Sequence, residues 1–253
     1  FTTNKTMGED CDIMVAKHNV SRKDQDLFAK RSHDNAEKAW EAGHHQKEVV
    51  PVEIEPDFKM IKKDNGIRSG TPIEKLTKLK PAFDKKHGTL TAANSSFLTD
   101  GSAVCLIMTE SKAKELGLTP KAEIVDFCFT GQRLEDELLL GPAYAMSKVL
   151  DQTKLLLNDI DVFEIHEAFA GQVLTNIKCL ADDEFCKIEL QKEKPVGEID
   201  INKVNKWGGS LSIGHPFGAT GARLLTTAAN RLIEENGHYA MLSACAAGAH
   251  GHA

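Results

Sequence analysis

The chain has 253 residues, of which 41% are apolar and 27% are charged, and its formal net charge is -6. This composition is ordinary for a globular protein of one or two domains, and the spread of lysine and arginine argues against nucleic acid as the main partner. No apolar run is long enough to cross a bilayer. The six cysteines lie far apart, which favours reduced thiols in an intracellular compartment, and the histidines lack zinc-site spacing, so no metal site is predicted.

The first predicted elements are a helix and a loop-rich segment. Ser21 with Asp24 resembles a capping box, and apolar residues then recur at helical spacing up to Gly43. From about Glu48 to Phe83, prolines and an Asn-Gly pair interrupt a lysine-rich stretch, which predicts irregular structure.

The second half of the chain predicts a layered α/β domain. Residues 103–108 are continuous enough in apolar side chains for a strand buried on both faces, residues 111–116 predict a short helix ended by Gly117, and Pro120 marks a domain boundary. Strands alternating with helices imply ligands beyond the strand ends. The further strands are predicted at 124–129, 161–165 and 239–244, and the further helices at 143–157, 169–180 and 224–233.

Three short motifs carry residues suited to chemistry. Residues 207–221 set His215 among five glycines ahead of a helix, without a Walker or dinucleotide fingerprint. Cys245 lies where a buried strand enters a turn of small residues, and His166 lies where a strand leads into a helix. Taken singly, these are more often a tight turn, an inert buried cysteine and a core histidine. Their occurrence together favours an active site.

The order and spacing of these motifs resemble the three C-terminal signature blocks of thiolases. The blocks are the string His-Glu-Ala-Phe at residues 166–169, the glycine-rich segment 207–221, and Cys245 with its turn. Residues 78–83 and 91–96 are also similar to thiolase sequences. The resemblance covers essentially the whole chain and implies a thiolase-like layered αβαβα fold, here the loop domain plus the C-terminal half.

The resemblance also implies a division of the chain. Residues 1–87 would be the remainder of the loop domain, residues 88–119 the last strand and helix of the N-terminal half, and residues 120–253 the C-terminal half. The chain has no initiator Met and stops just after the glycine-containing turn, so we expect a fragment whose final strand is missing and whose nucleophilic cysteine lies upstream.

The chemistry implied is thiolytic cleavage of 3-ketoacyl-CoA by CoA. His215 would activate the upstream cysteine, Cys245 would act as acid and base with a pKa tuned towards neutral pH, and His166 would help His215 to stabilise the enolate. The backbone N–H of Ala247 would contribute to a thioester oxyanion hole. Cys245 is expected to be the most reactive of the six cysteines. Positions that match the pantetheine channel of the family are Ala92, Ser96, Ala168 and Phe169.

Most thiolases have Asn where this chain has His166, and the His form resembles the thiolase subgroup of the mitochondrial trifunctional β subunits. This resemblance implies long acyl chains and a mitochondrial matrix enzyme associated with the inner membrane. It also implies acyl-CoA and CoA as ligands with no separate cofactor, a homodimer formed through the missing half, and a trifunctional α subunit as partner.

Two alternatives remain open. A ketoacyl-synthase-like condensing enzyme shares the fold but lacks a second reactive cysteine, so Cys245 favours a thiolase. The other alternative is an acyl-CoA-binding or scaffold subunit without activity, which fits a chain that has no visible nucleophile of its own.

Overall fold

A computed structural model describes residues 4–135 and 138–253. None of the helices in these two ranges is long and apolar enough to cross a membrane. The helices are α1 (Met7–Lys17), α2 (Arg22–Glu41), α3 (Ile73–Leu76), α4 (Glu110–Glu115), α5 (Gly141–Thr153), α6 (Ala170–Ala181), α7 (Asp183–Ile188), α8 (Ser210–Ile213) and α9 (Thr220–Glu234). The strands are β1 (Val52–Ile54), β2 (Lys59–Ile61), β3 (Phe129–Gly131), β4 (Val162–Ile165), β5 (Ala240–Ala246) and β6 (His250–His252).

A four-stranded sheet supports the site. Its strand order is β3-β6-β5-β4, with β4 and β5 parallel and β6 antiparallel to both of its neighbours. Helix α9 packs on β4 and β5, α5 packs on β5 and β6, and α1 and α2 pack on α6. On β5 alternate side chains are buried, so Met241, Ser243 and Cys245 share one face of the sheet.

Several predicted elements are confirmed. The strands predicted at 161–165 and 239–244 are β4 and β5, and the helix predicted after Ser21 is α2, whose N-terminus is capped where Asp24 N donates to Ser21 Oγ at 3.1 Å. Helix α1 was not predicted, although its capping box can be read in the sequence. Thr6 N donates to Glu9 Oε2 at 2.7 Å, and Glu9 N donates to Thr6 Oγ1 at 3.3 Å.

Two predicted strands are wrong in whole or in part. Residues 103–108 form no strand within the described ranges, and Val104 and Leu106 are 89% and 79% exposed. Of the strand predicted at 124–129, only the last residue falls in β3, and Val125 and Phe127 are exposed. An apolar run suggests that a segment becomes buried, but it does not identify the element that would cover it. Within the described ranges, no strand pairs with residues 103–108, and β6 pairs only with the end of the run at 124–129.

A short strand follows the turn after β5, and the expectation that the final strand of the family is missing stays a prediction. Residues 250–252 form β6, which lies between β5 and β3. Ala249, with a φ of 58°, completes a tight reversal, so β6 pairs with β5 only four residues after β5 ends. A side chain on Gly251 is excluded, because its Cβ would lie 2.5 Å from the Cα of Gly141. This close contact joins β6 to the start of α5.

A buried ion pair joins α9 to β4. Arg231 Nη1 donates to Glu164 Oε1 at 2.7 Å, and both side chains are fully buried. Arg231 also donates to the carbonyl oxygens of Phe163 and Lys203, so the guanidinium holds β4 and the helical turn Ile201–Lys203 together. Burial raises the pKa of Glu164 to about 6 and the charge of Arg231 opposes the rise, so loss of this cation would disfavour the ionised carboxylate further.

Arg231→Met should lower the free energy of unfolding by about 3 to 5 kcal/mol, because it leaves Glu164 buried without its cation. Urea unfolding followed by circular dichroism measures the change. The double variant Arg231→Met with Glu164→Gln removes the orphaned charge and should recover part of the loss. A loss below about 1 kcal/mol in the single variant would show that the pair is not needed for stability.

Candidate active site

The end of β4 positions His166. Its backbone N–H donates to the carbonyl oxygen of Ser243 at 2.8 Å, which holds it beside β5. The side chain is 2% exposed. Burial, with the nearby His215 and Arg223 as smaller causes, lowers the pKa of His166 well below its usual range. The ring is therefore neutral at pH 7.

The glycine-rich segment brings His215 against His166. Gly214 directly follows helix α8. Its φ of 94° favours glycine, and an added Cβ there would lie 2.3 Å from Thr99 Cγ2. The chain turns there, and the two imidazole centroids come to 4.0 Å with their planes inclined by 37°. Burial, followed by the charge of Arg223, lowers the pKa of His215. The two rings therefore meet as neutral groups.

Each imidazole is held through Nδ1 by a hydroxyl. His166 Nδ1 lies 2.9 Å from Ser210 Oγ, and His215 Nδ1 lies 2.6 Å from Thr220 Oγ1. Ser210 begins α8 and Thr220 begins α9, so the two helix starts orient the two rings. Because Nδ1 is engaged in each ring, Nε2 is the nitrogen that can act on a ligand.

The sequence analysis missed Glu167 as a positioning residue. Its carboxylate is fully buried and accepts hydrogen bonds from Ser32 Oγ at 2.7 Å, Asn205 Nδ2 at 2.6 Å and Leu211 N at 3.1 Å. These bonds tie α2 and the end of β4 to the glycine-rich segment. An added Cβ at Gly209 would lie 2.2 Å from the carboxyl carbon, so the segment can approach Glu167 this closely only with glycine there.

Cys245 lies on the strand next to His166. It is 8% exposed, pairs with Gly251 of β6, and follows Ser243 by two residues on the same face of β5. Burial raises the pKa of its thiol to about 12, which corrects the expectation of a thiol tuned towards neutral pH. At pH 7 Cys245 is a protonated thiol, which can donate a proton but is a poor base until a ligand stabilises the thiolate.

Three of the four residues predicted to line a pantetheine channel lie together. Ser96 N donates to the carbonyl oxygen of Ala168 at 2.9 Å, and Ser95 forms an isolated bridge with Phe169. Ala92 is exposed in the turn just before them. The channel role of these residues stays a prediction.

Ala247 lies exposed in the turn between β5 and β6. The assignment of its N–H to an oxyanion hole also stays a prediction. Across residues 4–135 and 138–253, no group of three or more His, Cys, Asp or Glu side chains is placed to hold a metal ion.

In the 253-residue chain, iodoacetamide should alkylate Cys105 before Cys245, the reverse of the order expected from the sequence. Alkylation needs an accessible thiolate, and Cys105 is partly exposed whereas Cys245 is buried with a raised pKa. Limiting reagent with peptide mapping gives the order, and buried Cys128 serves as a slow internal reference. Faster labelling of Cys245 would mean that its surroundings favour the thiolate after all.

Sequence profiles of the thiolase N-terminal and C-terminal domains match residues 1–111 and 118–253. A Caenorhabditis elegans protein described as a probable 3-ketoacyl-CoA thiolase is 54% identical over 99% of this chain and 56% of its own length. The mitochondrial trifunctional enzyme subunit beta of Homo sapiens is 51% identical over 100% of this chain and 53% of its own. The chain therefore spans a little more than half the length of these relatives.

Solved structures show the same similarity. The Bacillus anthracis acetyl-CoA acetyltransferase superimposes with a TM-score of 0.85 at 37% identity, over 98% of this chain and 59% of that one. The human mitochondrial 3-ketoacyl-CoA thiolase superimposes with a TM-score of 0.82 at 30% identity, over 97% of this chain and 58% of that one.

Proposed function

The chain belongs to the thiolase family, and we propose that the protein carrying it cleaves 3-ketoacyl-CoA with CoA, giving acetyl-CoA and a shortened acyl-CoA. The predicted thiolase-like α/β fold is confirmed by the two solved structures described above. The observation that carries the proposal is the contact between the neutral rings of His166 and His215, with the Cys245 thiol on the adjacent strand.

In the first half-reaction, a cysteine outside these 253 residues attacks the 3-keto carbon after His215 Nε2 takes its proton. The bond between C2 and C3 then breaks, and its electron pair forms the enolate of acetyl-CoA. N–H donors of the His pair stabilise the enolate oxygen, and the Cys245 thiol gives its proton to the carbon. The shortened acyl group stays on the nucleophilic cysteine.

In the second half-reaction, the Cys245 thiolate removes the thiol proton of CoA. The CoA sulfur attacks the acyl carbon, and the bond from this carbon to the nucleophilic cysteine breaks. Acyl-CoA is released, and the cysteine sulfur takes its proton back from His215. The N–H of Ala247 helps to stabilise the oxyanion of this step, and the pantetheine arm passes Ala92, Ser96, Ala168 and Phe169. CoA is a substrate here, and the proposal includes no separate cofactor.

The subgroup assignment gives the finer proposals. His166 and the similarity to subunits named as mitochondrial trifunctional enzyme beta support long acyl chains, a mitochondrial matrix location at the inner membrane, a homodimer and an α-subunit partner. The division into residues 1–87, 88–119 and 120–253 is proposed on the resemblance to thiolases.

A condensing enzyme and an acyl-CoA-binding subunit without turnover are the alternative functions. The thiol of Cys245 supports a thiolase over a condensing enzyme, because the proposed reaction needs a second thiol to exchange protons with carbon and with CoA. Binding of acyl-CoA without any consumption of CoA would favour the inactive subunit.

His215→Ala should slow covalent acylation of the full-length protein by a long-chain 3-ketoacyl-CoA by at least about 100-fold, because the nucleophilic cysteine loses its general base. Rapid-quench mass spectrometry of the acyl-enzyme measures this rate. His87→Ala, which changes an exposed histidine, is the matched control and should leave the rate unchanged.

A steady-state thiolysis assay on the unaltered full-length protein, with CoA and 3-ketoacyl-CoA of different chain lengths, tests the function itself. Thiolysis is expected to be fastest, by kcat/KM, with long-chain substrates. If acetoacetyl-CoA were the best substrate, the subgroup assignment would be wrong. If no 3-ketoacyl-CoA were cleaved at all, the proposed activity would be wrong.

A further inference from the structure

The direction of a hydrogen bond between a hydroxyl and a neutral imidazole depends on the other partner of the hydroxyl. A Ser or Thr hydroxyl donates one hydrogen and can accept others, and a neutral imidazole has one N–H and one bare nitrogen. The second partner of each hydroxyl therefore decides which ring nitrogen carries the proton.

The hydroxyl of Ser210, which contacts His166, has Arg223 as its second partner. Its Nη2 lies 3.5 Å from Ser210 Oγ, and its Nε and Nη1 atoms are buried with no hydrogen-bond partner in the part of the chain that the structure describes. A guanidinium only donates, and its positive charge turns the hydroxyl oxygen towards it and the hydrogen away. The Ser210 hydrogen then points to His166 Nδ1, so the ring proton is on Nε2.

The hydroxyl of Thr220, which contacts His215, has a backbone carbonyl as its second partner. Thr220 Oγ1 donates to the carbonyl oxygen of Pro216 at 3.4 Å, and a carbonyl can only accept. The threonine oxygen is then free to accept the shorter bond, of 2.6 Å, from His215 Nδ1–H. This leaves His215 Nε2 bare.

We infer that Ser210, backed by Arg223, and Thr220 hold the two stacked histidines in opposite tautomers, with an Nε2–H on His166 and a bare Nε2 on His215. The inference rests on the proposed function for its meaning. Activation of a thiol requires a bare nitrogen, and stabilisation of an enolate oxygen requires an N–H donor. Two neighbouring histidines can divide these tasks only if their tautomers differ.

Ser210, Arg223 and Thr220 are therefore positioning residues that act through the histidines. Arg223 has a second effect, because its charge lowers the pKa values of both rings. The same cation thus adds to the effect of burial, which keeps both imidazoles neutral, and orients the hydroxyl that selects the tautomer of His166.

The direct test is long-range ¹H–¹⁵N NMR on the full-length protein with ¹⁵N-labelled histidine. We expect a protonated Nε2 for His166 and a protonated Nδ1 for His215. Thr220→Val should move the His215 proton towards Nε2, and Ser210→Ala should move the His166 proton towards Nδ1. Thr226→Val is the matched control, because Thr226 also donates to a carbonyl four residues earlier on α9, that of Ala222 at 2.9 Å, and should leave both tautomers unchanged.

Two rates separate the roles of the two hydroxyls. Thiolysis requires the enolate, whereas exchange of labelled CoA into acyl-CoA uses only the second half-reaction and forms none. Ser210→Ala should lower the ratio of thiolysis to exchange by at least about tenfold, since it affects the enolate donor. Thr220→Val should lower both rates together, since both reactions need the activated nucleophile.

The outcomes distinguish this inference from the proposed function. If both histidines carry their protons on the same nitrogen in the unaltered protein, the inference is wrong even where thiolysis is observed. If Ser210→Ala lowers both rates equally and leaves the His166 signals unchanged, the residue is only structural and the inference is overturned. If the unaltered protein catalyses neither reaction, the proposed function fails, while the NMR signals still decide the tautomers.

Discussion

The site depends on the buried carboxylate of Glu167. Burying a carboxylate is costly unless its oxygens are hydrogen-bonded, and here Ser32, Asn205 and the N–H of Leu211 supply three donors. Burial raises the pKa of Glu167, and these three hydrogen bonds oppose the rise. Because the donors come from α2, from the segment before the glycines and from α8, one side chain fixes the relative position of three parts of the chain.

This contact also sets the geometry of the histidine pair. Glu167 directly follows His166, and Leu211 directly follows Ser210, so the bond between Glu167 and Leu211 anchors both ends of the neighbouring bond between His166 and Ser210. The glycine-rich segment then has only a few residues in which to turn at Gly214 and bring the second ring back to the first. The close approach of two imidazoles thus follows from one carboxylate and a glycine.

The sequence predicted the elements whose partners lie within the chain. Strands β4 and β5 match their predictions because each pairs with the other, whereas residues 103–108 are equally apolar but have no strand beside them in the described ranges. In the site, His166 and His215 could be found because their motifs occur together with that of Cys245, in the order and spacing of the thiolase blocks. Glu167 could not, because nothing in a sequence distinguishes a buried carboxylate from an exposed one. The pKa of Cys245 was mispredicted for the same reason, since it depends on burial.

The charge states of the site determine the order in which Cys245 can act. Two neutral imidazoles and a thiol with a pKa of about 12 carry no charge at rest, so in the proposed reaction Cys245 is still protonated when the enolate forms. Burial, with the charge of Arg223 as a smaller cause, lowers the pKa of each histidine, so neither ring is a cation at rest that would stabilise a Cys245 thiolate. Cys245 therefore begins each cycle as the acid. It becomes a base only after the carbanion, which is far more basic than a thiolate, has taken its proton, and the high pKa that burial imposes then favours removal of the proton from CoA.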